Sequence, residues 1–181
     1  MKGIVFTSFL EMVDEMFGEE MTEDIIDSCD LPSKGAYTSV GTYQFDEMAQ
    51  LATVLSQKVS IDIEKLLFTF GKYIFVKFTV YYAGKYENKK NAFEFLKSIN
   101  DHIHIEVKKL YPDAELPEFS FTESSKDNMC LIYKSTRPLA DFAEGMIYGC
   151  FDYYEEKIEI IRDDICNDNN KTEVHFHLKK V

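Results

Sequence analysis

The sequence predicts an α+β fold, in which an N-terminal helical part packs on a C-terminal part that carries an antiparallel sheet and further helices. Two observations carry this. Between Ile4 and Leu110 apolar residues recur at helical spacing, and from Phe119 onward they alternate with polar ones. With 181 residues, 45% of them hydrophobic, the chain has enough apolar surface for one sizeable core.

The elements follow in order. Val5, Phe9, Met12, Val13 and Met16 share one face of a helix over residues 4–17. A break rich in turn formers spans Asp30 to Gly35. Asp46 is placed to cap a helix running to Val59, with Met48, Leu51, Leu55 and Val59 on its apolar face. Asp62 or Ile63 opens another, carrying Leu66, Leu67, Phe70, Ile74 and Phe78, and residues 84–90 read as a loop. The longest helix is expected over 91–111, striped by Phe93, Leu96, Ile99, Ile103, Val107 and Leu110 and ended by Pro112. Beyond it, the pairs and triplets Phe119/Phe121, Met129/Leu131/Tyr133 and Val174/Phe176/Leu178 alternate as strands do. A helix over Ala140–Tyr153 and a strand over Lys157–Arg162 complete the pattern.

Composition excludes several classes of partner. A formal charge of −12 argues against non-specific nucleic-acid binding and against anionic membranes, both of which need a basic surface. No apolar run approaches the roughly 18 residues that span a bilayer. The start, Met1-Lys2-Gly3-Ile4-Val5-Phe6, is unlike a signal peptide, so a cytoplasmic location is expected. Cys29, Cys130, Cys150 and Cys166 are scattered without a CxxC pair and read as free thiols.

Two segments carry chemistry. In Asp101-His102-Ile103-His104-Ile105, helical phase puts His104 at the edge of the apolar stripe and His102 well outside it, which favours His104 and leaves both open. In Tyr133-Lys134-Ser135-Thr136-Arg137, two hydroxyls and a guanidinium stand at alternate positions, which in extended chain share a face at roughly 7 Å per step. A metal-bearing ring with two carboxylate tails needs one nitrogen ligand and such a set of donors. Together the two segments point to a haem pocket.

The chain resembles the haem nitric oxide/oxygen-binding (H-NOX) family in its bacterial stand-alone form, essentially end to end. The resemblance rests on Met1-Lys2-Gly3-Ile4-Val5-Phe6, Gly35-Ala36-Tyr37-Thr38-Ser39, Phe70-Gly71-Lys72-Tyr73-Ile74-Phe75, His104 leading to Leu110-Tyr111-Pro112, the Tyr133-x-Ser135-x-Arg137 motif and Ala143-Glu144-Gly145. It implies one domain over 1–181, with a helical part at about 1–62, a haem-ligating part at about 63–181 and haem b (ferrous iron protoporphyrin IX) between them. His104 matches the proximal iron ligand. Tyr133, Ser135 and Arg137 match the clamp on the ring's propionates, and Pro117 matches a proline that distorts the ring. Positions matching the distal wall are Val5, Phe9, Ile74, Phe78, Phe142 and Met146. Members that hold oxygen stably use a distal tyrosine where this chain has Phe142.

The implied function is a nitric oxide sensor that excludes oxygen and also binds carbon monoxide. In such sensors nitric oxide breaks the bond from iron to the proximal histidine. Freed His104 and the relaxing ring, distorted against Pro117 and Val5, then move the two parts relative to each other. Output is expected to pass to a separate protein, a sensor histidine kinase first, a diguanylate cyclase or phosphodiesterase next. One departure stands out. Relatives with a C-terminal zinc site place a cysteine where this chain has Ala140, and no cysteine follows Cys166, so that site is expected to be absent. His175 and His177 read as ordinary strand residues. The competing readings are a thiol redox sensor through Cys130, Cys150 or Cys166, a haem enzyme acting on nitric oxide or peroxide, and a haem-free interaction domain.

Overall fold

The computed structural model describes the chain apart from residues 83, 85–88, 123, 124, 169 and 170, and apart from the side chains at 106, 110, 166–168 and 171. Most of the loop expected over 84–90 therefore lies outside the described residues. Helices come first: α1 (Gly3–Phe17), α2 (Glu19–Asp27), α3 (Phe45–Val59), α4 (Ile63–Tyr81) and α5 (Ala92–Lys97). A π-helical segment (Ile99–His104) runs into α6 (Ile105–Leu110). Strands β1 (Glu118–Thr122) and β2 (Asn128–Ser135), helix α7 (Ala140–Tyr153), and strands β3 (Ile158–Asp168) and β4 (Lys171–Lys180) complete the chain. The sheet is antiparallel in the order β1-β2-β4-β3.

Several local expectations change. Helix α2 was not foreseen. Its sequence is mostly acidic and only Ile25 is fully buried, so its apolar stripe is too narrow to read, and Gly18 with φ of 90° separates it from α1. In α1 the core side chains are Phe6, Phe9, Met12 and Val13, while Met16 is exposed. In α3 the cap position is Gln44, and Asp46 sits in the first turn with Glu47, where a carboxylate meets the positive helix end. Glu47 is itself buried and accepts from the Ser33 N–H at 3.2 Å, the Tyr37 hydroxyl at 3.0 Å and the Ser33 hydroxyl, tying the loop before α3 to its first turn.

A further change bears on the site. The single helix expected over 91–111 is broken into α5, the π-helical segment and α6. Asn91 caps α5 by accepting from the Glu94 N–H at 3.0 Å. Downstream, the Asn100 side chain accepts from the Phe119 N–H at 3.3 Å and donates to the Phe119 carbonyl, lacing the π-helical segment to β1. A π turn inserts a residue relative to α-helical phase and is frequent at functional sites. His104 is its last residue, half-buried, whereas His102 is exposed.

The core forms two clusters. One gathers Phe6, Phe9, Met12, Leu51, Leu55, Phe70 and Ile74 from α1, α3 and α4. The other gathers Phe93, Leu96, Leu131, Tyr133, Cys150, Phe151, Val174 and Phe176 from α5, the sheet and α7. Phe78 and Met146 pack against both. The sheet's inner face is the expected alternation: Leu131 pairs with Phe176, and Tyr133 with Val174 on one side and Phe119 on the other. Strand β3 runs further than expected, with a register shift between Asp164 and Cys166. It is pinned to the first turn of α7 by Arg162, which donates to Asp141 at 2.5 Å and Glu144 at 3.3 Å. On the outer face His177 pairs with Asp163 at 3.0 Å and His175 with Glu173 at 3.2 Å.

Candidate functional site

A cavity of about 850 Å³ opens where the two clusters meet. That is within the range of sites that bury most of a drug-sized ligand. The π-helical segment and α6 contribute Ile103, His104 and Val107, the loop after α6 contributes Leu116 and Pro117, and β1 contributes Phe119. From α1, α4 and α7 come Val5, Phe78, Phe142 and Met146. Tyr133, Ser135 and Arg137 line it from β2 and the turn beyond, and Lys2 and Phe45 from the chain's first half.

His104 is the only imidazole among the described lining residues. Its ring leans on Phe119, with centroids 5.7 Å apart. Burial, reinforced by the positive charge of Lys108 one turn on, pushes its pKa down to about 4. The ring is therefore neutral at physiological pH and keeps a nitrogen lone pair for a metal.

The donor group is arranged differently from a uniform strand face. Strand β2 ends at Ser135, whose hydroxyl accepts from the Arg137 N–H at 3.0 Å, so the chain turns before the guanidinium. Tyr133 is buried, and burial raises its phenol pKa, which keeps the hydroxyl a donor. Arg137 donates to Glu115 and lies over the Phe45 ring at 5.6 Å. Alternation thus aligns only two of the three groups, and a turn brings the third. An apolar cavity holding one neutral imidazole, with hydroxyls and a guanidinium gathered on neighbouring positions, suits a flat metal-bearing ring with acidic tails. The residues present fit haem.

Two of the expected distal residues lie behind the wall. Phe9 and Ile74 are fully buried and do not line the cavity. Phe9 packs edge-on against Phe70 at 5.1 Å, and Phe70 packs on Phe142 at 5.2 Å, so Phe9 backs the wall through two other rings. Helical phase places a residue on the inward face of its helix; it does not distinguish the cavity from the core beside it.

The Tyr43 ring lines the cavity, but its hydroxyl accepts from the Thr38 N–H at 2.8 Å and donates to the Ala36 carbonyl at 3.4 Å. Tyr73 lies elsewhere, with the Lys77 ammonium 4.9 Å from its ring centre. Tyr82, which drew no attention in the sequence, lines the cavity beside Phe78 at 5.8 Å, and burial raises its pKa.

These features define a protein that encloses a flat, acid-tailed, metal-bearing ligand. Comparisons agree. A family model described as Haem-NO-binding matches residues 2–162. The Fe(II) unliganded H-NOX protein from K. algicida is 42% identical, with a TM-score of 0.93 over 100% of this chain and 97% of that one. The IWP-051-bound H-NOX from Shewanella woodyi, in the Fe(II)CO ligation state, is 38% identical, with a TM-score of 0.85 over 100% and 95% of the two chains. An H-NOX protein from S. oneidensis in the Fe(II)NO ligation state shares the fold at a TM-score of 0.90 with 23% identity, covering 100% and 99%. No curated protein sequence matches the chain. The chain belongs to the Haem-NO-binding (H-NOX) family, and its fold is that of haem-based gas sensors. Among the described residues, no helix is long and apolar enough to cross a membrane.

Proposed function

We propose that this protein is a haem-based nitric oxide sensor that excludes oxygen and signals in trans. The observation that carries this reading is a single neutral imidazole facing a cavity whose matched distal lining, Val5, Phe78, Phe142 and Met146, offers no hydrogen-bond donor. Haem b, when bound, supplies the ferrous metal that takes the diatomic gas. His104 would hold the metal, Tyr133, Ser135 and Arg137 would hold the acidic tails, and Pro117 would press on the ring. Bound oxygen carries partial negative charge and is held by a donor; nitric oxide does not depend on one. Carbon monoxide is expected to bind more weakly.

The fold offers a route from His104 to the N-terminal part. The chain beyond α6 is tied at Asp113 to Lys2 at 3.2 Å and to Thr42 at 3.4 Å. Displacement of the π-helical segment therefore reaches the start of α1, and two packings of the parts become distinguishable to a partner. The division at about residue 62 belongs to this reading, since residues before it contribute to one core cluster alone and α4 joins both. A sensor histidine kinase is the first partner to test, then a diguanylate cyclase or phosphodiesterase.

The test is the visible spectrum of the reduced, haem-loaded protein in air and then under nitric oxide. No change in air and a shift with nitric oxide are expected. A stable complex with oxygen would sink the reading. Tyr82→Phe is expected to leave both responses unchanged; an oxygen complex present in wild type and lost in this variant would make Tyr82 the donor.

The thiol reading finds less support. Cys130 and Cys150 are buried, on β2 and α7, and burial raises the Cys150 thiol well above its ordinary pKa. The Cys166 side chain lies outside the described residues. In native protein Cys130 and Cys150 are expected to stay unlabelled by a thiol reagent over the time in which unfolded chain reacts at both. Fast labelling at Cys150 would revive the switch.

A further inference from the structure

The cavity's polar side carries two cationic side chains, Lys2 and Arg137, beside the Met1 ammonium, which donates to the Tyr43 carbonyl, and both side chains are in an unusual position. Their side chains are 13% and 16% exposed, while the carboxylates that pair with them, Asp113 and Glu115, are 62% and 71% exposed. Both carboxylates come from one loop, two residues apart, between α6 and β1. Among the described residues, these two little-exposed cations are thus paired with strongly hydrated acids on the solvent side. Lys2 is otherwise held by the Thr42 hydroxyl at 2.5 Å and the face of Tyr111 at 4.2 Å, neither of which neutralises its charge. In a protein of net charge −12, cations gathered at one cavity read as a site for anions.

We infer that Lys2 is a second carboxylate clamp, taking one acidic tail of a dicarboxylate tetrapyrrole while Arg137, with Tyr133 and Ser135, takes the other. This rests on the haem reading above. Asp113 and Glu115 hold the two cations in place from outside, and each competes with a tail for its cation. Glu115 precedes Leu116 and Pro117, so exchange at Arg137 also bears on the residue that presses on the ring.

The test compares iron protoporphyrin IX with its dimethyl ester, which has the same ring and no charged tails. Binding is read as the Soret titration of the apoprotein and the rate of ring transfer to excess apomyoglobin. Lys2→Met is expected to weaken binding of the diacid by about 10-fold, the scale of one charge-assisted hydrogen bond, and to leave the diester unchanged. Asp113→Asn, which frees Lys2, is expected to tighten the diacid by a few-fold. If both variants lose affinity, equally for both rings, Lys2 merely ties the loop and the clamp is wrong. The clamp is equally wrong if Lys2→Met binds the diacid as wild type does. A wild-type chain that takes up neither ring overturns the haem reading itself, a result separable from either of these.

Discussion

His104→Gly is expected to cost more ring affinity than any other single substitution in the cavity. Loss of an outer partner of a metal ligand costs roughly 10–100-fold in metal affinity, so loss of the ligand itself is expected to cost more than about 100-fold. The clamp residues remain, and some ring is still captured through its tails and the apolar walls. The variant therefore separates ligation from capture. Its absorption spectrum loses the band of a histidine-ligated ferrous haem, and millimolar free imidazole, which fits the space the side chain leaves, restores it. His102→Gly is the control. That ring is exposed at the middle of the π-helical segment, and its removal is expected to leave the spectrum as in wild type. If the two variants exchange these outcomes, the assignment of the ligand is wrong although the haem reading stands.

The parts of the fold that the sequence made legible are those governed by short-range periodicity. Alternation at Met129, Leu131 and Tyr133 and at Val174, Phe176 and Leu178 reads cleanly because one sheet face is fully buried and a shift of one residue would expose all six. The family's imidazole and its Tyr-x-Ser-x-Arg motif were readable for a different reason, as residue types at fixed spacing. What stayed hidden depends on partners distant in sequence. The break at Ile99–His104 is stabilised by Asn100 bonding to Phe119, and nothing within a helical turn announces it. Lys2 reads as an ordinary terminal lysine until Thr42 and Asp113 are brought to it. Phe9 and Phe142 have equal claims on an apolar stripe; only packing decides that Phe142 meets the cavity and Phe9 the back of Phe70. The extent of β3 was likewise unreadable, because Arg162, a charged residue on its inward side, pairs with Asp164 and with Asp141 and Glu144 of α7 in place of an apolar contact.

Gly145→Ala is expected to cost stability although the change is conservative. Helices α4 and α7 cross at Gly71 and Gly145, and a Cβ on Gly145 would stand 2.0 Å from the Phe68 carbonyl oxygen and 3.1 Å from the Gly71 Cα. Those are backbone atoms, which cannot rotate aside, so the helices must part. Alanine gains about 1 kcal/mol over glycine in a helix interior, against an overpacking cost of typically 1–3 kcal/mol and occasionally more. With contact this close the clash wins, and a net loss of about 2–3 kcal/mol is expected, or roughly 5–10 °C in Tm for a chain of this size. Gly149→Ala on the same helix is the comparison. Its nearest obstacles are the Phe75 Cβ at 2.9 Å and the Lys72 carbonyl oxygen at 3.3 Å, so the helices need part by less than at Gly145 and a smaller penalty is expected. The effect reaches the cavity, because Phe142 and Met146 lie on either side of Gly145 in the sequence and both line it. Parting the helices widens that wall, and the loaded variant should lose haem faster than wild type. Urea unfolding of the two variants decides the matter: equal stability would mean that α7 slides on α4 without cost, and that the distal wall is not fixed by this crossing.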